Sequence, residues 1–441
     1  MQERARAVEE LYIAYPDHRD GKEVATGTYF RIAQLQGNTT FFPALRTLHL
    51  NTPDRRQNPL TLSHLPLFLS PTLTSITISH LGEDATGSLA CFLIENSPGL
   101  LATLVLHSVE LSPLLATSIS QCWSLEIMDL TFRGLLECSS LQAVLSCPLL
   151  SNVRLNTRNI QYGGSQAVNE ITADITWNIG GQIHLDGQIN MIEDVMTATA
   201  DRKMLGLTIT LIESRDQQIV QHLLRHIAAQ QASIMNFTIN LRNALVIDAS
   251  FLSSLVSADT FHEFRTLEFR GLAFQQLDQH LPQMLSHWQH IQHLSFGAPA
   301  GVTIARYISL ASLKLVAQLC PNLSSLEAPF DSPGDTFDAP GGISDCFLSR
   351  KLLKLSLVAF DTSPYHYNNQ PISPKIAQQV AHYIYALFPD LDDIKTHPSQ
   401  KYRDDYWRLV AESYKLFQNF CRREFKELND MRQRQLDGAG E

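Results

Sequence analysis

The sequence predicts an α/β solenoid, with a parallel sheet lining its inner side, helices outside, and about thirteen irregular repeats. Three observations predict it. A short apolar pattern recurs along nearly the whole chain, its copies keep a near-constant spacing, and proline marks one position ahead of many of them.

The pattern is two leucine-like residues three apart and a third two further on. It occurs as Leu45/Leu48/Leu50, Leu73/Ile76/Ile78, Leu101/Leu104/Leu106, Leu125/Met128/Leu130 and Leu150/Val153/Leu155. It returns as Met204/Leu207/Ile209, Ile234/Phe237/Ile239, Phe264/Leu267/Phe269 and Ile291/Leu294/Phe296. Leu323/Leu326/Ala328, Leu352/Leu355/Leu357 and Leu391/Ile394/Thr396 complete the series, and Val8/Leu11/Ile13 forms an early copy ahead of them all. In a chain that is 44% hydrophobic such triplets also arise by chance, so the spacing has to decide. The first five copies from Leu45 start 28, 28, 24 and 25 residues apart. The six from Met204 start 30, 30, 27, 32 and 29 apart, and the step from Leu150 to Met204 is close to two periods. These steps sit at or just above the period of leucine-rich repeats.

Proline supplies an independent register mark. It falls two residues before the first leucine-like residue at Pro43, Pro71, Pro148, Pro321 and Pro389, and three before it at Pro98. Proline cannot continue a helix, and it fixes an extended entry into the next strand. Each unit therefore reads as helix, stop, short strand. Segment 304–319 carries Ile304, Ile308, Ala311, Leu315 and Leu319 at helical spacing. Segment 373–387 opens with Ser373 as N-cap and Pro374 at the first helical position, with Ile376, Val380, Tyr383 and Leu387 as its apolar stripe. Strand and helix alternating at this period predict a leucine-rich-repeat horseshoe.

The solenoid is expected over residues 1–398, with an irregular repeat at about 156–203. Within that stretch, 171–189 alternates apolar and polar residues on both sides of Gly180-Gly181, the pattern of a two-residue hairpin. We read a degenerate repeat carrying a hairpin-like extension. Residues 329–345, rich in Pro, Gly and Asp, read as a surface loop. Residues 399–441 are expected to form a charged amphipathic helix with the stripe Trp407, Val410, Tyr414, Phe417, Cys421, Phe425 and Leu428. It is either a cap on the open end of the solenoid or a partner-binding, coiled-coil helix.

Composition narrows the function classes. The net charge of −10 argues against nucleic acid or an anionic membrane as partner, since both demand a basic footprint. Seven widely spaced cysteines with no CxxC predict neither a disulfide framework nor a structural metal site. The charged N-terminus and the lack of a long apolar run predict an intracellular location, cytoplasmic or nuclear. No phosphate-loop, GxSxG, HExxH or GxGxxG signature occurs, so we expect no cofactor and no enzyme activity.

The units around Phe42–Leu50, Leu67–Ile78, Leu145–Leu155, Leu319–Leu326 and Leu387–Ile394 resemble fungal, basidiomycete-type F-box/leucine-rich-repeat proteins with ribonuclease-inhibitor-like repeats. The resemblance covers nearly the whole chain and implies the substrate receptor of an SCF-type ubiquitin ligase. In that family an F-box helix bundle holds the Skp adaptor and the repeats hold the target. No F-box signature precedes Phe42, so the adaptor is an expected partner only if an F-box lies upstream of Met1.

Strand geometry supplies the candidate site residues. In LxxLxL the leucines enter the core, and the third and fifth residues face the inner, concave side. The candidates for holding a protein target are His49, Thr77, Asp129, Arg154, Thr208, Thr238, Glu268, Ser295, Glu327 and Lys354. The plainer alternative is a polar face that only keeps an open sheet wetted. His222 and His226 share a helix face at metal-ligand spacing, but nothing nearby completes a site, and a solvated face is expected. His287, His290 and His293 straddle a helix end and a strand start and should diverge, while Asp331, Asp335, Asp338 and Asp345 lack EF-hand spacing.

Overall fold

The computed structural model describes residues 7–14, 41–51, 70–79, 90–96, 99–157, 160–163, 181–199, 204–211, 216–230, 233–256, 263–297, 308–330, 352, 354–358, 373–396 and 403–438. It is an α/β fold in which helices alternate with strands of parallel sheets. The chain divides into two compact units, Met1–Glu213 with Ala229–Ile234, and Ser214–Ala228 with Met235–Glu441.

The first unit contains β1 (Glu10–Ala14), β2 (Thr47–Asn51), β3 (Ser75–Ser79), β4 (Thr103–Val109), α1 (Pro113–Ser120) and β5 (Ile127–Phe132). After these come β6 (Gly134–Glu137), α2 (Cys138–Leu145), β7 (Asn152–Asn156), β8 (Ile160–Gly163), β9 (Gly181–Gly187), α3 (Ile189–Ala198) and β10 (Met204–Leu211). The strands pair in the order β1-β2-β3-β4-β5-β7-β9-β10, all parallel, and β6 and β8 form a separate parallel pair. The second unit contains α4 (Gln217–Gln230, through Ala228), β11 (Asn236–Asp248), α5 (Ala249–Val256), β12 (Thr266–Gln275), α6 (Leu277–His287) and β13 (His293–Gly297). It continues with α7 (Ser312–Leu319), β14 (Ser325–Pro329), β15 (Lys354–Val358), α8 (Pro374–Leu387), β16 (Asp393–Thr396) and α9 (Arg403–Gly438). Strands β11 to β16 pair in chain order, again in parallel.

Register carries the sequence pattern straight into the core. Leu48, Ile76, Leu104, Met128, Val153, Ile183 and Leu207 face one another strand to strand, all buried. Leu50, Ile78, Leu106, Leu130, Leu155, Leu185 and Ile209 form the parallel row. In the second unit Phe237, Leu267, Leu294, Leu326, Leu355 and Ile394 do the same. Apolar helix residues such as Leu115, Ile119, Val220, Leu223 and Leu313 complete the buried interior.

Proline's position has a local cause. The carbonyl three residues ahead of the first leucine accepts that leucine's N–H: Ser70 from Leu73 (3.2 Å), Cys320 from Leu323 (3.1 Å) and Phe388 from Leu391 (3.4 Å). Pro71, Pro321 and Pro389 therefore occupy the second position of a β-turn, where a φ fixed near −65° is favoured. The turns without proline, Cys122 to Leu125 (3.2 Å) and Trp288 to Ile291 (3.1 Å), close in the same way.

Three elements differ from expectation. Strand β9, with Ile183 and Leu185 buried, pairs in parallel with β7 on one side and β10 on the other. Its register leaves no edge in that sheet for an antiparallel hairpin partner; residues 171–180 lie outside the described residues. The helix expected from Ile304 begins at Ser312, and Ile308 instead bridges to Phe330 in parallel. The reason is Asp278, whose Oδ1 accepts from Ser309 N (3.0 Å), Ser309 Oγ (3.2 Å) and Ser312 Oγ and ties down this corner. Strands β11 and β12 run to 13 and 10 residues, longer than the others, which reach at most 8, through a register shift opposite Gly271. Gly271 has φ +80°, and a Cβ there would lie 2.2 Å from the Leu241 carbonyl oxygen.

The first half of α9 packs on the end of the second unit. Trp407, Val410 and Tyr414 are buried, and the Tyr414 hydroxyl donates to Phe388 O (2.7 Å) while accepting from Leu391 N (3.2 Å). Gln418 Nε2 donates to Pro389 O (3.1 Å) and Leu391 O (3.2 Å).

Gly271→Ala should cost about 1–3 kcal/mol of stability, from positive φ and the Leu241 contact together, read as a lower urea midpoint. Burial pushes the Tyr414 phenol up, and pushes Tyr385 up to about 12. The folded state thus keeps protons that the unfolded chain releases above about pH 10, so stability should fall as pH rises past that point. Denaturation from pH 8 to 11 should show this fall, with a shallower slope in Tyr414→Phe.

Candidate functional site

The residues between the buried rows point to the opposite side of each sheet. In β3 the alternation is complete, with Ile76 and Ile78 buried and Ser75, Thr77 and Ser79 partly exposed. Across the first unit the middle row runs Tyr12, His49, Thr77, Val105, Asp129, Arg154, His184 and Thr208, one residue from each strand. Five of the candidates, His49, Thr77, Asp129, Arg154 and Thr208, therefore stand in a single line. In the second unit Thr238, Glu268, Ser295 and Glu327 form the corresponding row, continued by Ser356 and Lys395. Lys354 stands one row lower, in line with Ser325 and Asp393.

The first unit's row has one charged cluster. Arg154 Nη1 lies 3.9 Å from Asp129 Oδ2, and its side chain is 65% exposed, so the guanidinium keeps donors turned to solvent. His184 stands beside Arg154 on the next strand. Burial holds its imidazole below the usual value, the Arg154 charge adds to the depression, and Asp129 works against it. At the far end Tyr12, 66% exposed, stacks on His49 with ring centroids 4.2 Å apart and planes 6° from parallel.

The second unit's row is acid-bearing. Glu268 pairs with Arg270 on its own strand (Oε2 to Nη2, 2.9 Å). Ser295 is buried and donates to Glu327 Oε2 (2.8 Å), so it orients the carboxylate and offers little surface of its own. The rows of the two units present different chemistry on similar backbones.

Other groups are spread apart. His222 and His226 lie on α4, while His287 ends α6, His290 sits in the following turn and His293 starts β13. Among the described residues no three His, Cys, Asp or Glu side chains come together as metal ligands do. Asp331, Asp335, Asp338 and Asp345 lie outside the described residues. No helix among the described residues is long and apolar enough to cross a membrane.

Sequence reasoning passed over His184 and Tyr12. The signal for His184 was present: Gln182, His184 and Asp186 alternate with Ile183 and Leu185, but Gly180 stands where the first leucine would. Tyr12 was legible as the middle residue of Val8/Leu11/Ile13. No family model matches the sequence, and no curated protein is similar enough to match it.

An NMR titration should place the His184 midpoint below 6.5. Arg154→Ala should raise it and Asp129→Asn should lower it further, since each removes one neighbouring charge. The depressed value also means that stability present above about pH 6.5 is lost as pH falls through the folded midpoint.

Proposed function

We propose that the chain is a leucine-rich-repeat protein-interaction module of the horseshoe type, without enzyme activity of its own. Its role is the substrate-recognition part of an F-box-type (SCF) ubiquitin ligase receptor, with a protein target held along the inner sheet face. The supporting observation is the line of side chains, one per strand and all but Ser295 at least partly exposed, running across consecutive parallel strands in each unit. Such a row offers hydrogen-bonding groups at the strand spacing of about 4.8 Å, on a backbone too stiff to rearrange. Short Thr and Ser side chains lose little entropy on binding, so the scattered charges Asp129, Arg154, Glu268 and Glu327 decide which partner fits. The ubiquitin-ligase role rests on the repeat resemblance alone.

A free-standing scaffold unconnected to ubiquitin is the rival reading, favoured by the lack of an F-box signature among the 441 residues. Co-purification of the full-length native protein with a Skp-type adaptor separates the two. Capture supports the receptor; failure to capture leaves the scaffold. For the face itself, at least one of Asp129→Ala, Arg154→Ala and Glu268→Ala should weaken target binding by more than about 1 kcal/mol, measured by calorimetry. Unchanged affinity in all three removes the sheet face from the reading.

A further inference from the structure

Helix α9 is covered at Trp407, Val410, Tyr414 and Gln418 and bare from Arg422 to Arg432. Phe417 lies against His382, with ring centroids 5.3 Å apart. From Arg422 to Arg432 every residue is exposed, including Phe425 (69%), Leu428 (59%) and Met431 (52%). Steps of three and four place Tyr414, Phe417, Cys421, Glu424, Leu428 and Met431 on one seam, the spacing of a coiled coil. The chain's own second unit covers the start of that seam and leaves the rest to solvent.

We propose that the free end of α9 pairs antiparallel with the same segment of a second copy of this chain. Charge selects the partner. Glu424 has Phe420, Cys421, Glu427 and Leu428 three and four residues away, and Arg432 has Leu428, Asn429, Gln435 and Leu436. Neither has an opposite charge within reach on its own helix, unlike Arg408, which lies 3.9 Å from Glu412 one turn on. In the antiparallel register that sets Leu428 on Met431 of the second copy, Glu424 enters a hole bordered by Arg432 of that copy. Two-fold symmetry makes the contact twice. Arg432 of the second copy also reaches the face of Phe425.

Sterics select the direction. A parallel, in-register pair would set Glu424 against Glu424 of the second copy. It would also place the second helix where Trp407, Val410 and Tyr414 are already buried. The antiparallel register overlaps only residues 421–438, a length of about 27 Å, and keeps both docked halves clear of one another. This pairing does not depend on the function proposed above.

Analytical ultracentrifugation of the full chain over a rising concentration series tests it. We expect a monomer–dimer equilibrium. Leu428→Glu should raise the dissociation constant by about tenfold or more, with melting temperature and near-UV spectrum unchanged because the residue lies outside the core. Glu424→Arg and Arg432→Glu should each weaken self-association to a similar degree, and an equimolar mixture of the two should recover it. The mixture needs no apolar residue changed, so it stands even if Leu428→Glu alters the fold. A chain that stays monomeric throughout, a dimer indifferent to Leu428→Glu, or charge variants that fail to recover when mixed would each overturn the proposal.

Discussion

The structure depends on one carbonyl at the strand entry, that of the residue just ahead of the strand. The Arg46 carbonyl accepts two backbone N–H groups from the next repeat, Thr74 at 2.8 Å and Ser75 at 2.9 Å. Thr74, Ala102 and Glu126 carbonyls do the same for the repeats after them, and Met235, Arg265 and Gln292 repeat the arrangement in the second unit. At Thr74, Ser151 and Ser324 a side-chain hydroxyl adds a third donor to the same oxygen (3.2, 3.2 and 2.9 Å). Two N–H groups of the next repeat converge on this one oxygen, and they can do so only if the next strand begins at one residue. Register is thereby fixed at the entry, whatever the helical side contributes. That is how steps from 24 to 32 residues coexist with unbroken rows of core side chains.

The turn ahead of each entry is the second half of the same device. Among the described residues its first residue is mostly buried, as Ser70, Cys122, Trp288, Cys320 and Phe388 are. Those side chains vary in size because they fill whatever space the neighbouring helices leave. Two of the thiols, Cys122 and Cys320, are pushed up to about 12 by burial and stay protonated, acting as small apolar fillers. Cys147 and Cys320 also donate to carbonyls of the preceding repeat, Ile119 O (3.3 Å) and Trp288 O (3.8 Å). A cysteine count that says nothing about metals or disulfides thus has a packing explanation.

These two constraints explain what was legible in the sequence. Apolar triplets and prolines report directly on the entry and the turn, so β1 to β5, β7 and β10 to β16 could be read from them. Strand β9 escaped because Gly180 replaces the first leucine, while the later residues Ile183 and Leu185 kept the core rows continuous. The start of α7 escaped because Asp278, a residue over thirty positions away, holds Ser309 and Ser312. Long-range side-chain contacts of that kind leave no periodic trace. The candidate face was half legible for the same reason. Alternation told which residues point outward, but the burial of Ser295 under Glu327 and the grouping of Asp129, Arg154 and His184 depend on neighbouring strands.

The open face and the core respond to different demands. A core position must match the residues on both flanking strands, so Leu, Ile, Val, Met and Phe exchange there within narrow limits of volume. A face position touches only its lateral neighbours and solvent, and its identity can change at little cost to the fold. Yet the two units do not vary at random around a polar average. One row gathers Asp129, Arg154 and His184, with the guanidinium left partly unspent; the other fixes Glu268 and Glu327 by Arg270 and Ser295. A carboxylate held by a buried hydroxyl has its orientation fixed, whereas a guanidinium 3.9 Å from its counter-ion and largely exposed is held only loosely. The acid row is thus oriented by its own neighbours, while the other row keeps a cation with donors turned to solvent.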